Sequence, residues 1–135
     1  DAQEPLQLVI SHTSKRLGIL TDLGHATPHV LEQLAGCHAL ILECNHDPDL
    51  LAGSSYPAFL KRRVGGKFGH LSNAQAAGIA AAICHGGLKH VVAAHLSERN
   101  NRPELALHAL AIATGREPSE IVAAHPTAGT AWFQI

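Results

Sequence analysis

Three short apolar runs, residues 17–21 (LGILT), 38–43 (HALILE) and 89–94 (KHVVAA), alternate with stretches of helical character, and each hands on to a polar side chain. This alternation constrains the fold more than any other feature. The middle run is almost wholly apolar, as a strand covered on both faces is, and it passes into the polar turn Cys44, Asn45, His46, Asp47, Pro48. Strands alternating with helices build an α/β layer structure. In such sheets the chemistry gathers where strands end and loops begin, so Asp22, the pair Asn45 and His46, and His95 are the residues to weigh.

Local signals place the other elements. Residues 6–12 (LQLVISH) alternate apolar and polar and pair with 17–21 as a β-hairpin. Thr27 followed by Pro28 is an N-cap with proline at the first helical position, opening a short helix that Gly36 ends. Two short helical stretches near 49–52 and 57–64 precede a glycine-rich loop at 65–70. Ser72 with Gln75 forms a capping box for a helix through Ile83, closed by Gly86 and Gly87. A last helix spans about 103–114 before Gly115, and 121–124 and 130–135 read as closing strands. There are no internal repeats and no linker.

Length and composition set the outer bounds. A chain of 135 residues, 46% hydrophobic and 16% charged, is sized and composed like one globular domain. No apolar stretch approaches the roughly 20 residues of a membrane-spanning helix, so no membrane association is expected. Three cysteines with no C-x-x-C pair argue against a disulfide framework and point to the reducing cytoplasm. A net charge of −1 excludes nucleic-acid binding through bulk charge and leaves it to a local patch. Methionine is absent, also from position 1, so the chain is expected to be processed, truncated or excised from something longer. Eleven histidines outnumber the ten lysines and arginines together, and histidine is both the commonest metal ligand and the neutral-pH proton carrier.

Each candidate has two readings on its local sequence. Asp22, with Gly24 two residues on, is either a turn former or a carboxylate able to approach a cation closely. His95 is either a structural histidine at a strand end or a ligand. Glu43, His46 and Asp47 suit a metal or acid/base site, although Asp47 and Pro48 also simply start a helix. The one concentrated basic run, Lys61, Arg62, Arg63 and Lys67, is a solvated helix face or, beside a glycine loop and a capped helix N-terminus, a phosphate-binding surface. No H-x-H, H-E-x-x-H or C-x-x-C pattern completes a metal site by local spacing.

Taken together, Asp1-Ala2-Gln3-Glu4-Pro5, Thr21-Asp22-Leu23-Gly24, Leu42-Glu43-Cys44-Asn45-His46-Asp47, Tyr56-Pro57, Gly69-His70-Leu71-Ser72-Asn73 and His95-Leu96-Ser97 with Asn100-Asn101 occur in an order and spacing that resembles the metallo-β-lactamase fold. Within that fold they resemble the YycJ-like (WalJ-like) branch of bacterial DNA exonucleases. The resemblance implies a four-layer αββα sandwich whose edge holds two divalent metals, zinc or manganese, and a metal-activated hydroxide that attacks a phosphodiester. It makes Asp22 the carboxylate bridging the metals and His95 the late histidine of the second metal. His70, Ser72 and Asn73 become residues near the scissile phosphate, with His70 and His46 as catalytic candidates and Asn45 in support of the site. Arg62, Arg63 and Lys67 then lie where a DNA strand is bound.

The family's H-x-H-x-D-H motif, which supplies ligands to both metals, is absent, as is the histidine that would precede Asp1. The expected fold is therefore α/β, the C-terminal half of the metallo-β-lactamase αββα four-layer sandwich, over residues 1–135. Half a sandwich leaves an apolar face open, to be covered by the N-terminal half or a second copy in a homo-oligomer. The expected activity is metal-dependent phosphodiester hydrolysis, a 5′-exonuclease on DNA in the complete protein. A hydrolase of a small phosphodiester or ester, and a non-catalytic half-domain that binds metal incidentally, are the alternatives.

Overall fold

The computed structural model of the chain describes residues 7–135. The stretch Asp1-Ala2-Gln3-Glu4-Pro5 and the first residue of the expected opening strand lie outside the described residues. β1 (Leu8–His12) and β2 (Lys15–Leu20) form the expected antiparallel hairpin, with His12 opposite Lys15. β3 (Ala39–Glu43), β4 (His90–Ala94) and β5 (Val122–Ala123) then add in parallel, so the sheet order β1-β2-β3-β4-β5 is the chain order.

The helices follow their local signals. α1 (Pro28–Leu34) is capped by the Thr27 side chain, which accepts from the Val30 amide. α2 (Pro48–Gly53) starts on Asp47, whose carboxylate accepts from the amides of Asp49 and Leu50. α3 (Ala58–Val64) carries the basic run in its last turn. α4 (Asn73–Ile83) begins with the complete Ser72–Gln75 capping box, and α5 (Pro103–Thr114) ends on Gly115 in the left-handed region at φ +66°.

Two expectations need correction. α4 ends at Ile83 with an extended Cys84, two residues before the glycines expected to close it. Residues 130–135 are not a strand: Phe133 stacks on the His90 ring and the Gln134 carbonyl is bonded to His90 Nε2, so this β-prone stretch lies against a side chain instead of a strand edge.

Alternation along the strands gives the sheet two unlike faces. Leu20, Leu40, Leu42, Val91 and Ala93 point to one side, where Leu34 of α1, Ala76, Ile79, Ala80 and Ile83 of α4, and Ala106 and Leu110 of α5 cover them in one buried cluster. The alanines of α4 are what let it lie close. Leu8, Ile10, Ile19, Ile41, Val92 and Val122 occupy the opposite rows, and there Leu8, Ile10 and Val122 are exposed, Ile19 and Ile41 are only half-buried, and Val92 of the inner strand is buried. Trp132, in the C-terminal tail, is fully exposed. One layer of helices and one sheet with an open apolar face is the arrangement of half of an αββα sandwich. Among the described residues no helix is long and apolar enough to cross a membrane.

All three cysteines are free. Burial pushes the Cys37 thiol up, and burial together with the neighbouring Glu43 charge pushes Cys44 up to about 12, whereas Cys84 is exposed. Native protein treated with iodoacetamide at neutral pH is expected to take one label, at Cys84, by intact mass and peptide mapping. Rapid labelling of Cys44 would contradict its burial in the core.

Candidate metal centre

The three strand ends do converge. Glu43, the last residue of β3, is 0% exposed, and its Oε1 accepts from His70 Nδ1 at 2.7 Å and from His95 Nδ1 at 2.8 Å. Its Oε2 accepts from the amides of Leu23 at 3.2 Å and Leu71 at 3.4 Å. Burial alone would push this carboxyl up, but the hydrogen bonds from the two histidines, with the Leu23 amide, outweigh it and hold Glu43 at about 2. The carboxylate is therefore ionised and holds both rings through their Nδ1 atoms.

Asp22 completes the group, its Oδ1 3.7 Å from His95 Nδ1 and 3.9 Å from His70 Nδ1. Ligand atoms of Asp22, Glu43, His70 and His95 all lie within 4.8 Å of one another. Asp22 at φ +59° and His95 at φ +55° both hold left-handed backbone, a conformation that costs a residue with a Cβ about 1–3 kcal/mol and that gathers at functional sites. The donor set of carboxylate and imidazole suits a divalent transition metal, and a buried carboxylate behind two imidazoles is the usual way such ligands are fixed in tautomer and orientation. The Glu43 bond also raises the affinity of His95 for a proton, against the opposing effect of its burial.

Backbone pairing brings the loops into place. Past Glu43 the chain continues extended between two loops: the Cys44 amide bonds the Ala94 carbonyl, the Asn45 amide bonds the Leu71 carbonyl, and His46 pairs with Ser72 as a parallel bridge. Asn45 Nδ2 donates to the His95 carbonyl at 3.1 Å, bracing that residue's unusual backbone. Asn101 Nδ2 donates to the Cys44 carbonyl and to Asn73 Oδ1, and Asn73 returns a bond to Asn101 Oδ1. Gly24 lies so close to the carbonyls of Gly66 and Lys67 that a Cβ would collide with them, which locks the Asp22 segment onto the glycine loop before His70.

The sequence candidates divide accordingly. Asp22 and His95 stand together, and His70 joins them through Glu43. Sequence groups Glu43 only with His46 and Asp47, and its actual role has no local signal, because its partners lie 27 and 52 residues away. His46 is outside the cluster: it is 3% exposed and its Nδ1 has no hydrogen-bond partner. Burial, and then the nearby His70, lower its affinity for a proton, so the ring is neutral. Asn45 and Asn73 are buried and committed to the bonds above, and Ser72 is spent on Gln75. Arg62, Arg63 and Lys67 are exposed around the adjacent loop.

No family model matches the chain. It is 35% identical over 106 residues to the exodeoxyribonuclease YycJ of Bacillus anthracis, a match covering 78% of this chain and 40% of that protein. It is 31% identical over 106 residues to the exodeoxyribonuclease WalJ of Streptococcus pneumoniae, covering 78% of this chain and 39% of the relative. The match thus covers only about two fifths of the length of these relatives. Over that length the chain belongs to the family of the exodeoxyribonucleases YycJ and WalJ.

Proposed function

We propose that the chain carries part of the active centre of a divalent-metal-dependent nuclease that shortens DNA from its 5′ end. The observation that carries this reading is the convergence of Asp22, His70 and His95 on buried Glu43, in a relative of exodeoxyribonucleases. Asp22 and His95 would hold the metals, zinc or manganese, two of them in the complete protein. Bound there, divalent metals supply Lewis-acid neutralisation of phosphate charge and lower the pKa of water. Glu43 fixes both imidazoles with Nδ1 protonated. His70, held beside the two ligands, faces the scissile phosphate as a proton carrier, and the exposed cations of Arg62, Arg63 and Lys67 draw the DNA backbone to the same edge. Three free thiols suit a reducing cytoplasm.

The open sheet face supports a second part of the proposal. Glu43 shares its row with Ala39 and Ile41, so the metal centre lies at the margin of the face that carries Leu8, Ile10 and Val122. The N-terminal half of the same fold docks there, bringing the H-x-H-x-D-H ligands, and a second copy of the chain is the alternative cover.

The test is DNA degradation by the intact natural protein with added zinc or manganese, on 5′-labelled and 3′-labelled strands. Release of label from the 5′ end is expected, abolished by chelator; an intact protein inert with every divalent metal refutes the reading. Arg62→Ala with Arg63→Ala is expected to weaken DNA binding and to flatten its salt dependence, by about 0.7–0.9 in the log–log slope for each phosphate that is no longer neutralised. Unchanged affinity at low salt would make the run a solvated face.

A further inference from the structure

Beside the metal centre, between α2, α3 and the start of α4, lies a recess of about 620 Å³ that none of the residues assigned to metal chemistry lines. Its wall is of two kinds. Pro48, Leu51 and Ala52 of α2 give an apolar side, and Lys61 and Arg62 of α3 give a cationic rim, with the Lys61 ammonium held at the wall by the Ala52 carbonyl at 2.5 Å. His46 lies in the wall, almost completely buried, with Nδ1 lacking a partner. Its other nitrogen, Nε2, lies 3.8 Å from where a Cβ on Gly65, also in the wall, would sit.

We propose that this recess is a nucleotide subsite, which seats one nucleoside monophosphate unit of the DNA strand next to the bond being cut. The proposal rests on the nuclease reading above and deepens it. The phosphate lies on Lys61 and Arg62, the sugar and base cover Pro48, Leu51 and Ala52, and the His46 ring in the wall offers a polar edge to the occupant. The volume is that of a small-molecule site, and inorganic phosphate alone would leave most of it, with the apolar side, unfilled. Position gives the connection to the metals: Gln75, which lines the recess, donates from Nε2 to the Gly24 carbonyl, two residues from Asp22.

Gly65 makes the inference testable. Its φ of −84° is open to any residue, and a Cβ there meets only Leu51, the Lys61 carbonyl and His46 at ordinary contact distances of 3.4 Å or more, so larger side chains grow into the recess without backbone strain. The experiment is calorimetric titration of the intact natural protein, in chelator, with 2′-deoxyadenosine 5′-monophosphate, deoxyadenosine and inorganic phosphate. The mononucleotide is expected to bind at least tenfold more tightly than either fragment. Gly65→Met should lose that binding at least tenfold with an unchanged unfolding midpoint, and Gly65→Ala should retain it. Arg62→Glu, on an exposed position, should weaken the mononucleotide and leave deoxyadenosine unaffected, which keeps the test valid if the methionine variant misfolds. Equal binding of inorganic phosphate, or mononucleotide binding indifferent to Gly65→Met and Arg62→Glu, overturns the subsite. A protein that binds the mononucleotide here yet cuts no DNA overturns the nuclease reading alone. One that cuts DNA with a KM untouched by Gly65→Met overturns the subsite alone.

Discussion

Glu43→Gln is expected to lower divalent-metal affinity roughly 10- to 100-fold and to destabilise the fold by about 2 kcal/mol, although it changes one atom. The reason is the division of labour between the two carboxylate oxygens. Oε1 accepts from both histidines and Oε2 from the amides of Leu23 and Leu71, so every one of the four neighbours is a donor. An amide cannot face four donors. With its oxygen towards the histidines, its NH₂ meets two backbone N–H groups; turned the other way, its NH₂ meets both Nδ1 atoms, and the two imidazoles lose the acceptor that orients them. Metal titration by calorimetry and urea unfolding of wild type and variant check the two parts separately. Wild-type metal affinity in the variant would remove Glu43 from the centre.

The second large effect separates stability from chemistry at Asp22. Asp22→Gly and Asp22→Ala should both cost metal-dependent cutting at least about 10³-fold, as expected when a bound ion provides the charge neutralisation and the acidified water. Their stabilities should differ. Glycine relieves the left-handed backbone at φ +59° and is expected to stabilise the metal-free fold by about 1 kcal/mol, whereas alanine keeps the strain. His95→Ala is expected to match Asp22→Ala in activity. Full activity in the Asp22 and His95 variants, with metal content unchanged, would defeat the assignment of both ligands.

Local chemistry made most of the fold legible. Thr27 and the Ser72–Gln75 box mark helix starts through bonds that span three residues, Pro28 and Pro103 mark them by their fixed φ, and the apolar runs mark the parallel strands. The strand ends Asp22 and His95 were legible for the same reason. What local chemistry does not carry is which buried polar groups find each other across the fold. Glu43 reads as one acid of a turn cluster until His70 and His95 meet it, and Asn73, expected near the scissile phosphate, pairs in the core with Asn101, 28 residues away. His46 shows the converse: its place near the strand end suggests chemistry, while burial and an unpaired nitrogen move it to the neighbouring recess. The tail around Trp132 and Phe133 has strand composition, but its partner is the His90 ring.

Strand order has a consequence for synthesis. Because β1 to β5 lie in the sheet in the order in which they leave the ribosome, each strand finds its neighbour already made, and no strand has to be inserted between two others. Asp22, Glu43 and His70 are in place before His95, which follows the fourth strand, so the nascent chain passes most of its assembly without a finished ion trap. On the proposed ligand assignment, a metal that arrives early would meet only a partial set of donors until His95 has been made.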